Sequence, residues 1–272
     1  MTQTSNRRWT ALLILGTYAT AITASAANFS GSDDFSTISG SWGPDVTSGS
    51  GSFVVANGAL NLHTPSFSPN EQAARFWKES YGSYTADWSL RMDVSLGTFA
   101  MSSSQFASAG MYVQNQSDVS QDFVRVILRR DGESLRSFYA DAYANGTFLG
   151  SVWIPTLSTT VSLGLGYDAA THSIMAAYDS DGAANGYLFT PFTATAIDAL
   201  GSDWHMTSSD VFGVRLLAQT TLPIEMGQLS IDNFFAGPTP LAVVPEPSTI
   251  YLGVAALGLF VIWRRIGKTR PV

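Results

Sequence analysis

The chain has 272 residues, 45% of them hydrophobic and 13% charged, with no cysteine and three histidines, which excludes disulfides, thiolate metal sites and cysteine nucleophiles and leaves little for a histidine-rich metal centre. Six of the 14 basic residues sit in the two termini, where Glu246 is the sole acid, so between residues 27 and 244 eight bases face 20 acids and the net charge is −12. So acidic a body repels phosphate backbones, and nucleic acid is excluded as a partner.

In chain order, residues 1–26 read as a secretory signal. Arg7 and Arg8 supply the basic stretch, Trp9 to Ile22 the apolar stretch, and Ala24-Ser25-Ala26 a small-x-small site for signal peptidase. The body then runs from 27 to 237. Phe53–Ala56 and Ala59–Leu62 flank Asn57-Gly58, the signature of a hairpin with a two-residue turn. A strand follows at 72–77. Ala86, Trp88, Leu90, Met92, Val94 and Leu96 alternate with Asp87, Ser89, Arg91, Asp93 and Ser95, a period of two that predicts a strand with one buried face. Strands are expected at 107–114 and 122–130, and Asn145-Gly146 joins Arg136–Tyr143 to Thr147–Ile154 as a second tight hairpin. More follow at 159–167, 172–179, 211–219 and 225–235, with one short helix at 194–200. About a dozen strands without helical crossovers predict an all-β, antiparallel two-sheet jelly roll.

Three neighbouring strands carry mixed faces. Ala109, Met111 and Val113 oppose Tyr112 and Gln114; Val124, Val126 and Leu128 oppose Arg125 and Arg129; Phe138, Ala140 and Ala142 oppose Tyr139, Asp141 and Tyr143. With the apolar sets inward, Tyr112, Gln114, Arg125, Arg129, Tyr139, Asp141 and Tyr143 share one polar-aromatic surface. Sugars present apolar C–H faces to aromatic rings and hydroxyls to polar groups, so this surface is the candidate glycan site. Cross-strand pairing on a solvated face accounts for the same residues without a ligand. Trp88 falls in the core set, whereas Trp42, Trp77, Trp153 and Trp204 fit core, rim or ligand.

Asp33-Asp34-Phe35, Ser41-Trp42 and Asn57-Gly58-Ala59-Leu60, with Gly227 to Phe234 at the far end, resemble the opening and closing strands of concanavalin A-like (LamG-type) jelly rolls. The resemblance implies that the first and last strands pair, and that the mixed face lies on the sheet where relatives bind glycans. It also implies a candidate structural calcium held by Asp33, Asp34 and Asp232; no other cofactor is indicated. β-Glucan-cleaving enzymes of this fold carry a Glu-x-Asp-x-x-Glu run. The body has only Glu71, Glu79, Glu133 and Glu225 and no such run. His63, His172 and His205 lack a Gly-x-Ser-x-Gly partner and read as surface or edge residues. Asp179-Ser180-Asp181-Gly182 opens like a calcium loop but lacks the later carboxylates, and reads as a turn.

Residues 238–244 form a proline-rich linker. Pro245-Glu246-Pro247 precedes an uncharged stretch at 248–263 and a basic tail at 264–272 that includes Arg264 and Arg265. Sixteen residues at ~1.5 Å each give roughly 24 Å, a short span of a ~30 Å core, and the basic end predicts a cytoplasmic tail. The order of motif, apolar helix and arginines resembles the PEP-CTERM sorting signal of Gram-negative bacteria. That resemblance implies processing by an exosortase after transient inner-membrane anchoring through the C-terminal helix, and delivery to the outer surface or extracellular matrix. The expected function is a non-catalytic, surface-sorted matrix component with polysaccharide as candidate partner. The alternatives are a glycan-active hydrolase or lyase on the same fold and a purely structural surface protein.

Overall fold

The computed structural model describes residues 28–243, apart from 38, 66–70, 118–121, 134 and 197–203. The predicted signal segment at 1–26 and the sorting signal at 245–272 lie outside the described residues.

Among the described residues, sixteen strands, numbered in chain order, form two antiparallel sheets. The first sheet runs in space β14 (Thr190–Ala196), β13 (Ser173–Asp179), β12 (Thr160–Asp168), β7 (Trp88–Leu96), β16 (Leu229–Gly237), β4 (Ala59–His63) and β3 (Ser52–Ala56), with β1 (Gly31–Asp33) also on β16. The second runs β11 (Thr147–Thr156), β10 (Arg136–Ala144), β9 (Phe123–Asp131), β8 (Phe106–Asn115), β15 (Val211–Thr220), β5 (Glu71–Phe76) and β2 (Val46–Ser48), with β6 (Gly82–Ser83) on β15. The opening strand thus lies on the closing one, Gly31 opposite Ala236.

Alternation decides which side each strand buries. On β7, Trp88, Leu90, Met92, Val94 and Leu96 are fully buried between the sheets, opposite Met111, Val113, Val126 and Leu128 of the facing layer. Each such side chain contributes about 1.5–3 kcal/mol by leaving water. Both hairpins form as expected. Asn57 and Gly58 have φ of 55° and 71°, and Asn145 and Gly146 of 50° and 72°, the left-handed pair that a two-residue turn between twisted strands requires.

Two departures matter. The short helix anticipated at 194–200 is absent over its described part, because Thr190–Ala196 pairs with β13 instead. The sheet edge supplies hydrogen bonds and a packing surface that outweigh local helix propensity. Among the described residues, the regular helix is a single 3-10 turn at Gly182–Asn185, and no helix is long and apolar enough to cross a membrane. Second, β16 carries a bulge between Asp232 and Phe235, with Asn233 at φ 50°. The extra residue reverses the alternation: Leu229 and Ile231 point inward, and beyond the bulge so do Phe234 and Ala236, while Phe235 turns to the outer face.

Packing continues past β16. Leu241 is buried against Phe189 and Ala177, and Val243 bridges Phe189 in parallel. Gly164 and Gly166 of β12 make room for this passage: a Cβ added there would come within 2.8 Å and 3.0 Å of Leu241.

Candidate functional site

The register of the second sheet sorts its outer face into cross-strand rows. Gln114, Phe123, Tyr143 and Phe148 form one row. Arg215, Tyr112, Arg125 and Asp141 form the next, then Gly110, Ile127, Tyr139 and Trp153, and then Ser108 and Arg129. All seven residues expected at the glycan surface therefore share one face, over rows about 7 Å apart along the strands.

They are not equally available. Asp141 is 3% exposed. Arg125 donates to it through Nε at 2.9 Å and Nη2 at 2.5 Å, and the Tyr139 hydroxyl donates to it at 2.8 Å. Burial works against the Arg125 charge, but the bond to Asp141 and its charge outweigh that and hold the guanidinium above its ordinary pKa. Burial, then the bond to Asp141, raises the Tyr139 phenol, and burial raises that of Tyr112. Arg129 pairs with Asp131 at 2.7 Å and lies over the Phe106 ring at 4.3 Å. Tyr143 stacks on Phe123 at 4.6 Å. Gln114 is fully buried, and neither its amide nitrogen nor its oxygen has a partner.

Trp153 completes the surface. Trp42, Trp77 and Trp204 are buried, whereas Trp153, on the edge strand β11, is 48% exposed. Its ring lies 4.3 Å from that of Tyr139, inclined by 49°. The result is an exposed aromatic platform beside a fixed Arg125–Asp141 pair, with apolar area for a sugar face and donors and acceptors for its hydroxyls.

The first sheet's outer face holds residues the sequence did not single out. The Arg91 guanidinium of β7 lies over the rings of both Tyr187 and Phe235, at 4.1 Å and 4.6 Å from their centroids. This trio lines a cleft of about 560 Å3 together with Asp33, Asp34 and Asn233. Asp93 accepts hydrogen bonds from Asn233 Nδ2 at 2.8 Å, from the Tyr187 hydroxyl at 3.4 Å and from Ser162. Asp232 stands opposite Asp93 in the register. Its carboxyl is raised above the usual range by burial and by the charges of Asp93, Asp34 and Asp33. One signal was legible: the phase slip from Leu229 and Ile231 to Phe234 and Ala236 requires an extra residue, and that residue swings Phe235 beside Arg91.

Asp33 and Asp34, two of the candidate calcium ligands, act through their charges on the third, Asp232, and each of the three accepts hydrogen bonds within the chain. Asp33 accepts from the Phe35 amide at 2.8 Å and from Trp42 Nε1 at 3.0 Å, Asp34 from the Ser36 amide at 3.0 Å and Asp232 from the Asn233 amide at 2.7 Å. Among the described residues, no three carboxylate or imidazole side chains converge as metal ligands. Asp179 serves its turn, accepting from the Asp181 and Leu188 amides. Glu71 is buried and holds the 49–51 turn through the Ser50 and Gly51 amides. His172 stacks on Tyr84 and bonds the Tyr167 hydroxyl at 2.8 Å.

A model of the PEP-CTERM protein-sorting motif matches residues 243–266. No curated protein matches the chain. Among solved structures, the CBM2 module of the evolved Dit of Lactobacillus casei BL23 phage J-1 superposes with a TM-score of 0.51 at 13% identity, over 77% of this chain and 95% of that one. Lectin UEA-II complexed with galactose gives a TM-score of 0.50 at 11% identity, over 76% of this chain and 97% of the lectin. The winged bean acidic lectin complexed with methyl-α-D-galactose gives 0.50 at 11% identity, over 76% and 96%. At such identities the likeness is one of fold, the two-sheet jelly roll of legume lectins and concanavalin A. The chain carries the PEP-CTERM sorting motif behind a lectin-like jelly roll, and that motif implies an exported protein, anchored in a membrane, processed by an exosortase and then sorted to the surface.

Proposed function

We propose that this protein is a non-catalytic glycan-binding component of the extracellular matrix of a Gram-negative bacterium, released from its signal by signal peptidase and from its anchor by an exosortase. The observation that carries the reading is the Trp153–Tyr139 platform, half open to solvent beside the buried Arg125–Asp141 pair. Trp153 stacks on a sugar ring, Tyr143 and Phe148 extend the apolar track, and Arg125 and Tyr139 face the hydroxyls. The lectins that share the fold were solved with galactose and methyl-α-D-galactose, which makes galactose-bearing polymers the first probes.

The test is affinity electrophoresis of the full chain, in mild detergent, through gels holding galactomannan, xyloglucan or β-1,3-glucan. At least one polymer should retard the protein, and Trp153→Ala and the double variant Tyr139→Ala/Tyr143→Ala should each weaken that binding at least tenfold, about 1.4 kcal/mol, with the fold intact by circular dichroism. Retardation by none of the polymers, or undiminished binding by folded variants, overturns the proposal. One observation favours glycan hydrolysis as a second reading: Asp93 and Asp232 sit opposite each other at a cleft, and burial, with the charge of Asp93, holds the Asp232 carboxyl above its usual range. Release of reducing ends by the native chain, abolished in Asp232→Asn, would establish it.

A further inference from the structure

We propose that the cleft at Arg91 is a second site for an uncharged sugar chain, on the opposite outer face of the sandwich, so that one molecule bridges two polysaccharide chains. The site stands on its own geometry; the bridging rests on the glycan-binding reading of the second sheet.

Arg91 is the central observation. A guanidinium offers five donors, and here Nε is buried without a partner. None of the ion pairs among the described residues involves it, although four carboxylates stand near the cleft. The two rings within cation–π distance hold the guanidinium in place. A buried Nε–H left without an acceptor among the described residues costs free energy, and the remaining donors of the partly exposed guanidinium are open to a ligand in the cleft.

The surroundings select the ligand's charge. Burial first, and then the charges of Asp93, Asp34 and Asp33, hold the Asp232 carboxyl above its usual range, and the carboxylates gathered there repel an anionic chain. Arg91 brings a positive charge and donors into the same cleft. An uncharged ligand that both accepts and donates satisfies each side, with hydroxyl oxygens taking the Arg91 protons and hydroxyl protons going to the carboxylates. Pyranose chains have that chemistry, and their apolar C–H groups pack beside the Tyr187 and Phe235 side chains that line the cleft. The cleft volume, about 560 Å3, falls within the range of small-molecule sites.

The backbone is shaped for this arrangement. Asn233 at φ 50° and Tyr187 at φ 62° both hold left-handed conformations and both line the cleft. The bulge that contains Asn233 is what turns Phe235 outward.

The test uses the full chain in mild detergent and whichever of galactomannan, xyloglucan and β-1,3-glucan it binds. The polymer is immobilised, the protein is captured on it, and dye-labelled soluble polymer is added. Wild type should capture the soluble chain. Arg91→Met keeps the apolar stem beside the rings and removes every donor; it should still load onto the immobilised polymer and capture at least tenfold less of the second chain. Trp153→Ala should show the complementary defect. Capture by Arg91→Met equal to wild type overturns this site and leaves the Trp153 surface standing. Loss with Arg91→Met and none with Trp153→Ala keeps the Arg91 site and overturns the proposed surface. Loading of wild type without any second-chain capture overturns the bridging, and no loading on any of the three polymers overturns both sites.

Discussion

Leu241→Ala tests whether the chain beyond β16 is a docked strap or part of the folding unit. Leu241 is 9% exposed and sits in a small cluster with Ala177 and Phe189, on the outside of the first sheet and apart from the main core. Burying a leucine contributes about 1.5–3 kcal/mol, and ordering each backbone residue costs about 1–2 kcal/mol. Ordering residues 239–243 costs more than one leucine returns, so the segment stays docked only while Leu241 acts together with its other contacts, such as the Val243–Phe189 bridge, and losing the Leu241 side chain should release it without unfolding the sandwich. Leu90→Ala is the control: a fully buried leucine between the sheets should cost about 2–5 kcal/mol, roughly 4–20 °C in melting temperature at this size. Leu241→Ala should shift the melt by less than about 3 °C while amide exchange at 239–243 rises at least tenfold. A melt lowered as far as in Leu90→Ala, with exchange in the segment unchanged, would refute the strap.

Gln114→Met replaces a buried amide whose nitrogen and oxygen lack partners with an apolar side chain of similar volume, so it should raise stability by about 1 kcal/mol in chemical denaturation; a drop of that size would mean the amide is satisfied in solution. The Asp179 carboxyl is pushed up to about 6 by burial and its contact with Asp181. The native state therefore holds more proton than the unfolded chain between about pH 4 and 6, and stability should fall as pH rises through that window. Asp179→Asn should flatten that slope in melts recorded from pH 4 to 7. Because Asp33, Asp34 and Asp232 spend oxygens on amides and on Trp42, EDTA should leave the melting temperature unchanged, and a lower melt would restore calcium to the structure. Replacing Pro245-Glu246-Pro247 by alanines should leave an unprocessed chain in the inner-membrane fraction, and normal release to the surface would contradict the sorting assignment.

Where burial repeats every second residue, the sequence could be read through to side-chain direction. β7 shows this along its whole length, and the inward sets of β8, β9 and β10 placed Tyr112, Arg125 and Tyr139 on a common face. The Asn-Gly pairs worked for a local reason, since both positions need positive φ. Readings failed where partners lie far apart in sequence. Thr190–Ala196 contains alanines and precedes a run that favours helix, yet Thr193 and Thr195 fall opposite Ala176 and Ile174 of β13, and the sheet decides. Trp153 belongs to an edge strand whose sequence lacks strict apolar alternation, so its exposure follows from the sheet order, in which no strand among the described residues lies beyond β11. The Arg91 cleft joins residues 91, 187, 233 and 235, and a single sequence offers no coupling among positions so far apart.

The strap connects the sorting signal to the Arg91 cleft. Thr239, Pro240 and Leu241 form one wall of a smaller space of about 260 Å3 that shares Arg91, Tyr187 and Phe235 with the main cleft. From Val243 to Ser248, where the uncharged stretch begins, the chain advances five residues, at most about 18 Å when fully extended. While the tail is in the membrane, the edge of the first sheet where Val243 bridges Phe189 is thus tethered within that distance of the bilayer, whereas the outer face of the second sheet lies on the far side of the sandwich. If both proposed sites bind polymer, the Trp153 surface of an anchored chain should be reached more readily than the Arg91 cleft, and exosortase processing should free the second site. Reconstituted in liposomes, the uncleaved protein should bind one polymer chain but capture a second at least tenfold less well than the processed form. Equal capture by the two forms would show that the tether does not restrict the cleft.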